Sequence, residues 1–385
     1  MNRFAAAILL STALGASAAP HIPADDATVL ERLPAKPSDP AMAELRELRI
    51  ALAGSPANPV LAARVARRYF ELASAEGDPR YVGYAEAALR HWRDQQAPTD
   101  VLFMRALLRQ YRHDFGGALI DLEAALRSDP AHIGARAWRA AIFMVQADYG
   151  AAARECRALE EHASELLATG CSAYVDATTG KTRAAYEHLG EVLRRHPEAS
   201  NEARLWTLTR LAEMAWRLGD QAAADRLFNQ ALALGVEDNF LLAAYADFLL
   251  ERARPKEVVG LLRWWARSDT LLLRLALAEH ALGMREAERH VQALGERFAA
   301  SALRGERLHM AEEARYLLEL KGVARAALAV AAENWKAQRE PRDAAIFLEA
   351  AVATGDRHAA APVLRWLDET RFESSRFRNL AAKLR

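Results

Sequence analysis

Lysine is almost missing from this chain: of 51 basic residues only Lys36, Lys181, Lys256, Lys321, Lys336 and Lys383 are lysines. Arginine supplies the rest, and with the abundance of alanine it reads first as a genomic coding bias. Excess charge of either sign is also lacking. The 51 basic residues face 51 acidic ones, for a formal net charge of zero. That removes the general electrostatic pull toward DNA or anionic lipid and argues against nucleic acid as the main partner. β-Branched residues are sparse, which together with the alanine content argues against any sizeable sheet and for helix throughout. Beyond the first 20 residues no apolar run is long enough to span a bilayer. Disorder is excluded from the other side, since 52% of the residues are hydrophobic and 26% charged.

The signatures of catalysis are missing too. Gly180-Lys181-Thr182 resembles the end of a phosphate-binding loop, but that loop needs a glycine where Val175 stands, and a preceding strand that is not readable. The eleven histidines form no HExxH, and His188 and His196 stand eight apart without a matched cysteine or carboxylate. No Gly-x-Ser-x-Gly elbow occurs. Glu160 with Glu161, and Glu312 with Glu313, are neighbours in sequence that point in different directions on a helix and read as solvated faces. The expectation is a protein without catalytic residues, metal site or cofactor.

What is present begins with an export signal. Arg3, the apolar stretch Phe4 to Leu14 and the small-x-small series Ala16-Ser17-Ala18 predict a signal peptide over residues 1–18 and a mature start at Ala19. Residues 19–40 carry Pro20, Pro23, Pro34, Pro37 and Pro40 without periodicity and read as an extended linker. The expected location is therefore periplasmic or secreted.

The rest of the chain repeats. Asp114-Phe115-Gly116-Gly117-Ala118 returns 34 residues later as Asp148-Tyr149-Gly150-Ala151-Ala152. Gly180-Lys181-Thr182 with Ala185, and Gly219-Asp220-Gln221 with Ala224, continue the series. Weaker copies follow at Pro255, Gly283, Gly322 and Gly355. This pattern resembles the tetratricopeptide repeat family, whose unit is a pair of antiparallel helices with small residues where they cross. The family's small residue in the first helix matches Ala106, Ala140, Ala173, Ala212, Ala246 and Ala276; in the second helix it matches Ala118, Ala152, Ala185 and Ala224. Two helices approach closely only where side chains are short. The resemblance covers roughly residues 57–370, no unit carries the full consensus, and Arg109 and Val258 depart from it. It implies an all-α, right-handed α-solenoid, with an array over 41–370 and a C-terminal capping helix over 371–385.

In that arrangement Cys156 falls in the second helix of one unit and Cys171 in the first helix of the next, seven residues before and eight after a turn centred near Ala163. Such positions are level in an antiparallel pair, as a disulfide requires, and an exported chain would oxidise them. Two separately buried thiols are the alternative.

The resemblance also implies that first helices line a concave groove. The residues projecting there would include Phe103, Tyr111, Tyr174, Trp206, Glu213, Trp216, Arg217, Asp247 and Glu251. Aromatics among a few charges suit an extended peptide or partner helix. Acidic Glu213, Asp247 and Glu251 suggest a partner carrying basic and apolar residues. Some relatives clamp a peptide's C-terminal carboxylate with Lys, Arg and Asn on consecutive first helices. The matching positions here include Leu107, Ala141, Tyr174, Glu213 and Asp247, so that clamp is absent. The functional expectation is an exported interaction scaffold binding a protein or peptide partner. A solute- or glycan-binding module using Tyr111, Trp206 and Trp216 is the alternative, and an exported enzyme with its site in the groove a further one.

Overall fold

The computed structural model describes residues 40–76, 78, 80–94, 96–306 and 308–385. The expected signal peptide and residues 19–39 of the linker lie outside them, as do Gly77 and Pro79. The chain divides into Met1–Arg46 and Glu47–Arg385, and the second unit holds the array.

The described residues form helices and no strand. After α1 (Pro40–Gly54) the helices run in antiparallel pairs. These are α2 (Pro59–Glu76) with α3 (Arg80–Ala88), α4 (Thr99–Tyr111) with α5 (Phe115–Ser128), and α6 (Ile133–Val145) with α7 (Tyr149–Leu159). Next come α8 (Glu165–Thr178) with α9 (Thr182–Arg195), α10 (Asn201–Arg217) with α11 (Gln221–Leu232), and α12 (Asn239–Glu251) with α13 (Pro255–Leu262). Then follow α14 (Asp269–Ala281) with α15 (Glu286–Leu303), α16 (Met310–Arg315) with α17 (Ala324–Asn334), and α18 (Pro341–Thr354) with α19 (Ala361–Thr370). A π-wound turn, Tyr316–Leu320, extends α16, and α20 (Ser375–Leu384) packs against α18.

One turn conformation is used again and again inside the pairs. The second residue past the first helix has a positive φ: His113 60°, Ala147 60°, Gly180 86°, Gly219 86°, Ala253 55°, Gly283 66° and Gly322 66°, and after α18 it is the first residue, Gly355 68°. In most of these turns the next residue's N–H reaches back to a carbonyl five positions earlier, as Asp114 does to Arg109 and Asp148 to Phe143. This left-handed C-terminal motif satisfies carbonyls the helix would otherwise leave open. Asp114, Asp148 and Asp220 then cap the second helices, accepting N–H groups of Gly117, Ala151 and Ala223 at 2.9 Å. The small residues sit where expected: all ten crossing-point alanines are buried, Ala118, Ala152, Ala212, Ala224, Ala246 and Ala276 completely. Cys156 and Cys171 are bonded, with Cα atoms 5.4 Å apart, tying α7 to α8.

The array does not leave its first-helix face open. Residues 335–377 cross the ends of earlier pairs, and the bonds are specific. Arg339 N–H donates to the Val145 carbonyl at 2.8 Å, and Trp366 Nε1 donates to the Tyr149 hydroxyl at 2.7 Å. The Thr182 N–H at the start of α9 donates to the Glu373 carboxylate at 2.7 Å. Gly180 makes the close approach possible, because a Cβ there would stand 3.0 Å from Arg371 Cβ and 3.2 Å from its carbonyl oxygen. Gly180-Lys181-Thr182 is thus a turn and a docking edge for the C-terminal segment.

Candidate functional site

The first helices α8, α10 and α12 turn one face inward, and α14, α16, α18 and α20 complete the walls of a cavity of about 620 Å³. Six of the residues expected to line a groove border it: Tyr174, Glu213, Trp216, Arg217, Asp247 and Glu251. Glu251 and Ser375 are exposed at its mouth, as are Glu319 and Arg342.

The acidic character suggested by the sequence is cancelled by arginines from elsewhere in the chain. Asp247 lies between Arg274 at 2.7 Å and Arg315 at 2.5 Å. Burial alone would raise its carboxyl, but the two guanidinium groups outweigh burial and hold it at about 2. Glu251 accepts from Trp216 Nε1 at 3.1 Å and pairs with Arg376 at 3.0 Å. Glu213 pairs with Arg210 at 2.9 Å, and burial still raises its carboxyl above the ordinary range. Arg210 itself is stacked between aromatic rings, its guanidinium carbon 4.2 Å from the centre of Tyr174 and 4.4 Å from that of Phe240.

Arg217 is engaged by the C-terminal segment. Its guanidinium stands 3.9 Å over the Phe372 ring, donates to the Thr182 hydroxyl at 2.9 Å and to the Glu373 carbonyl at 3.3 Å, and reaches the Ala177 carbonyl. Burial pushes it down to about 10. Tyr174 approaches Glu340 at 3.5 Å, and burial raises its hydroxyl well above the usual tyrosine value.

The remaining three expected groove residues lie elsewhere. Phe103 is buried, its ring 4.8 Å from that of His132 and against Gly134. Tyr111 meets Phe70 edge-on at 6.4 Å. Trp206 packs on α8, where a Cβ on Gly170 would fall 2.4 Å from its ring. Each fills space between neighbouring first helices, so none of the three borders the cavity. Sequence reasoning missed Arg210, Arg274, Arg315, Glu340 and Arg376. The i,i+3 spacing of Arg210 and Glu213 could have flagged the first; the others come from pairs too distant in sequence to leave a local signal.

Among the described residues no group of His, Cys, Asp and Glu is arranged to hold a metal ion, and no helix is long and apolar enough to cross a membrane. The sequence matches no protein family and no curated protein. Among solved structures the chain is similar to the crystal structure of the P58(IPK) TPR domain, at 14% identity over 86% of this chain and 95% of that one, with a TM-score of 0.21. A superposition that loose carries no argument about sites or partners. The class follows from the chain's own geometry: antiparallel helix pairs, one recurrent left-handed turn and alanine at the crossings define a tetratricopeptide-like α-solenoid.

Proposed function

We propose that the chain is an exported, non-catalytic scaffold that holds a segment of a protein partner at the central cavity. The observation that carries this reading is the convergence of side chains from α8, α10 and α12 on one cavity whose mouth is open at Glu251 and Ser375. Solenoids characteristically bind through such inner surfaces. The Cys156–Cys171 bond supports an oxidising compartment, and the Ala16-Ser17-Ala18 series supports export. A photo-crosslinking residue at position 251 or 375 should give partner adducts in cells, and one at exposed Gly260 on α13 should not. Adducts from position 260 alone would overturn the reading. Mature protein starting at Ala19 in the periplasmic fraction is the companion result, and a full-length cytoplasmic chain would remove the export argument.

The enclosure of the cavity favours one second reading, a small-solute site. Its volume lies within the range of about 300–1,000 Å³ typical of small-molecule pockets, and Trp216 and Tyr174 offer flat apolar faces. Native mass spectrometry of protein purified from cells separates the two: a retained small molecule with no protein adduct selects the solute.

A further inference from the structure

One carboxylate in the cavity wall is left without a close partner. Seven carboxylates and six arginines line the space. Glu213 is engaged by Arg210, Asp247 by Arg274 and Arg315, Glu251 and Glu349 by Arg376, Glu319 by Arg315, and Glu340 by Arg342. The seventh is Glu312 on α16. Its place beside Glu313 suggests a solvated helix face when read from sequence, yet its side chain is only 11% exposed and borders the cavity. Its contacts are loose, the Thr270 hydroxyl at 3.4 Å and Arg274 at 3.9 Å, and both fall on Oε1 rather than Oε2. Arg274 is committed elsewhere, its Nη1 donating to the Thr270 carbonyl at 2.8 Å and its Nη2 to Asp247 at 2.7 Å. Burial alone would raise the Glu312 carboxyl, but the charges of His309, Arg274 and Arg342 together outweigh burial and hold it below the ordinary value, so it is ionised at neutral pH. An ionised carboxylate has room for about four hydrogen bonds, and in a partly desolvated wall a charged donor serves it best.

We infer that Glu312 is the seat for one lysine side chain of the partner segment, its ammonium meeting the carboxylate inside the cavity. The four-carbon stem would lie on the aliphatic lining, which includes Leu250, Leu273 and Leu318. A point charge suits this seat better than the planar fork of arginine, because Oε1 is already shared with Thr270 and a bidentate pair needs both oxygens. The inference rests on the scaffold reading. It moves the acidic seat from Glu213, Asp247 and Glu251, where the sequence suggests it, to the carboxylate that the arginines leave open.

The test uses the full mature chain with its disulfide intact and three sets of hexapeptides, acetylated and amidated at their ends and otherwise uncharged. One set carries a single lysine, the second an acetyl-lysine in its place, which keeps the stem and removes the charge, and the third a glutamate. Titration calorimetry should show the lysine set binding at least about tenfold tighter than either of the others. Glu312→Gln keeps the shape and removes the charge, and should bring the lysine and acetyl-lysine sets within about threefold of each other. Glu319→Gln removes a carboxylate that Arg315 already engages, and should leave the tenfold preference standing. Butylamine, the stem and charge without a peptide, should bind at least about a hundredfold more weakly than the lysine set. Equal binding of the lysine and acetyl-lysine sets, or a lysine preference that survives Glu312→Gln, would overturn the inference. Equal loss of the preference in Glu319→Gln would overturn it too, since the effect would then belong to the lining as a whole. Butylamine binding as tightly as the lysine peptides would overturn the assignment to a partner side chain. Binding by none of the sets also overturns the inference, and crosslinks at positions 251 and 375 then decide the scaffold reading separately. The selectivity of the parent protein remains decisive even where Glu312→Gln fails to fold.

Discussion

Gly170→Ala should change sign with the residue at position 206. Alanine in a helix interior is ordinarily favoured over glycine by about 1 kcal/mol. In α8, however, a Cβ at position 170 would lie 2.4 Å from Trp206 Cζ3 and 3.2 Å from Cη2, far inside the carbon contact distance of about 3.5–4.0 Å. The indole must move, and overpacking of this kind typically costs about 1–3 kcal/mol. In the natural background Gly170→Ala is therefore expected to lose about 1 kcal/mol net, whereas with Trp206→Ala already present the same change should gain about 1 kcal/mol. The coupling between the two sites is then about 2 kcal/mol, within the range for residues in contact. Urea unfolding of the two single variants, the double variant and the parent, all with the disulfide intact, gives the cycle directly. A stabilising Gly170→Ala in both backgrounds, or coupling below about 0.5 kcal/mol, would refute the packing assignment of Trp206 and return it to the list of ligand contacts.

Three further outcomes follow from the same geometry. Replacing Cys156 and Cys171 with serine should lower stability by roughly 3 kcal/mol on the chain-entropy estimate for a loop of this size, measured by urea unfolding; a change below about 1 kcal/mol would mean the cross-link constrains little in the unfolded chain. Ala147→Gly and Ala253→Gly relieve a left-handed conformation that disfavours side chains by about 1–2 kcal/mol. After the extra unfolded-state entropy of glycine, each should raise stability by about 0.5–1 kcal/mol, and lowered melting temperatures would contradict the turn assignment. Asp247, with its carboxyl depressed to about 2, contributes stability that is fully present above the ordinary aspartate value near 3.9 and lost as pH falls toward 2. Thermal unfolding between pH 5 and pH 2 should show an acid limb that Asp247→Asn flattens while lowering stability at neutral pH, where Arg274 and Arg315 would then face each other.

Most of the architecture was legible because it is written locally. Asp114, Asp148 and Asp220 mark second-helix starts, glycine marks most of the left-handed turns, with His113, Ala147 and Ala253 in the others, and alanine marks most of the crossings. The pairing of Cys156 with Cys171 was legible for the same reason, since it depends only on register about one turn. The site was legible only in part. Helix phase placed Tyr174, Glu213, Trp216, Arg217, Asp247 and Glu251 on the inner face, yet phase says nothing of what lies opposite. The partners of Arg217 and Glu251 stand 156 and 125 positions away, at Glu373 and Arg376. That closure arises from accumulated rotation between pairs, which no single repeat encodes. Trp206 shows the other limit, because a half-buried aromatic on a first helix packs sideways when the neighbouring helix offers a glycine.

The most direct test of the central claim, that the partner is held in the cavity, is to fill the cavity and measure binding. Ala311 on α16 lines it and is only partly covered, so Ala311→Trp places an indole in the space without removing any of the ion pairs described above. With partner crosslinked through position 251 as the readout, adduct formation should fall by at least about a hundredfold, more than about 2.7 kcal/mol of binding. Helical content and melting temperature should stay close to those of the parent. Undiminished adducts in a well-folded Ala311→Trp protein would contradict the claim and move the binding surface to the outside of the array.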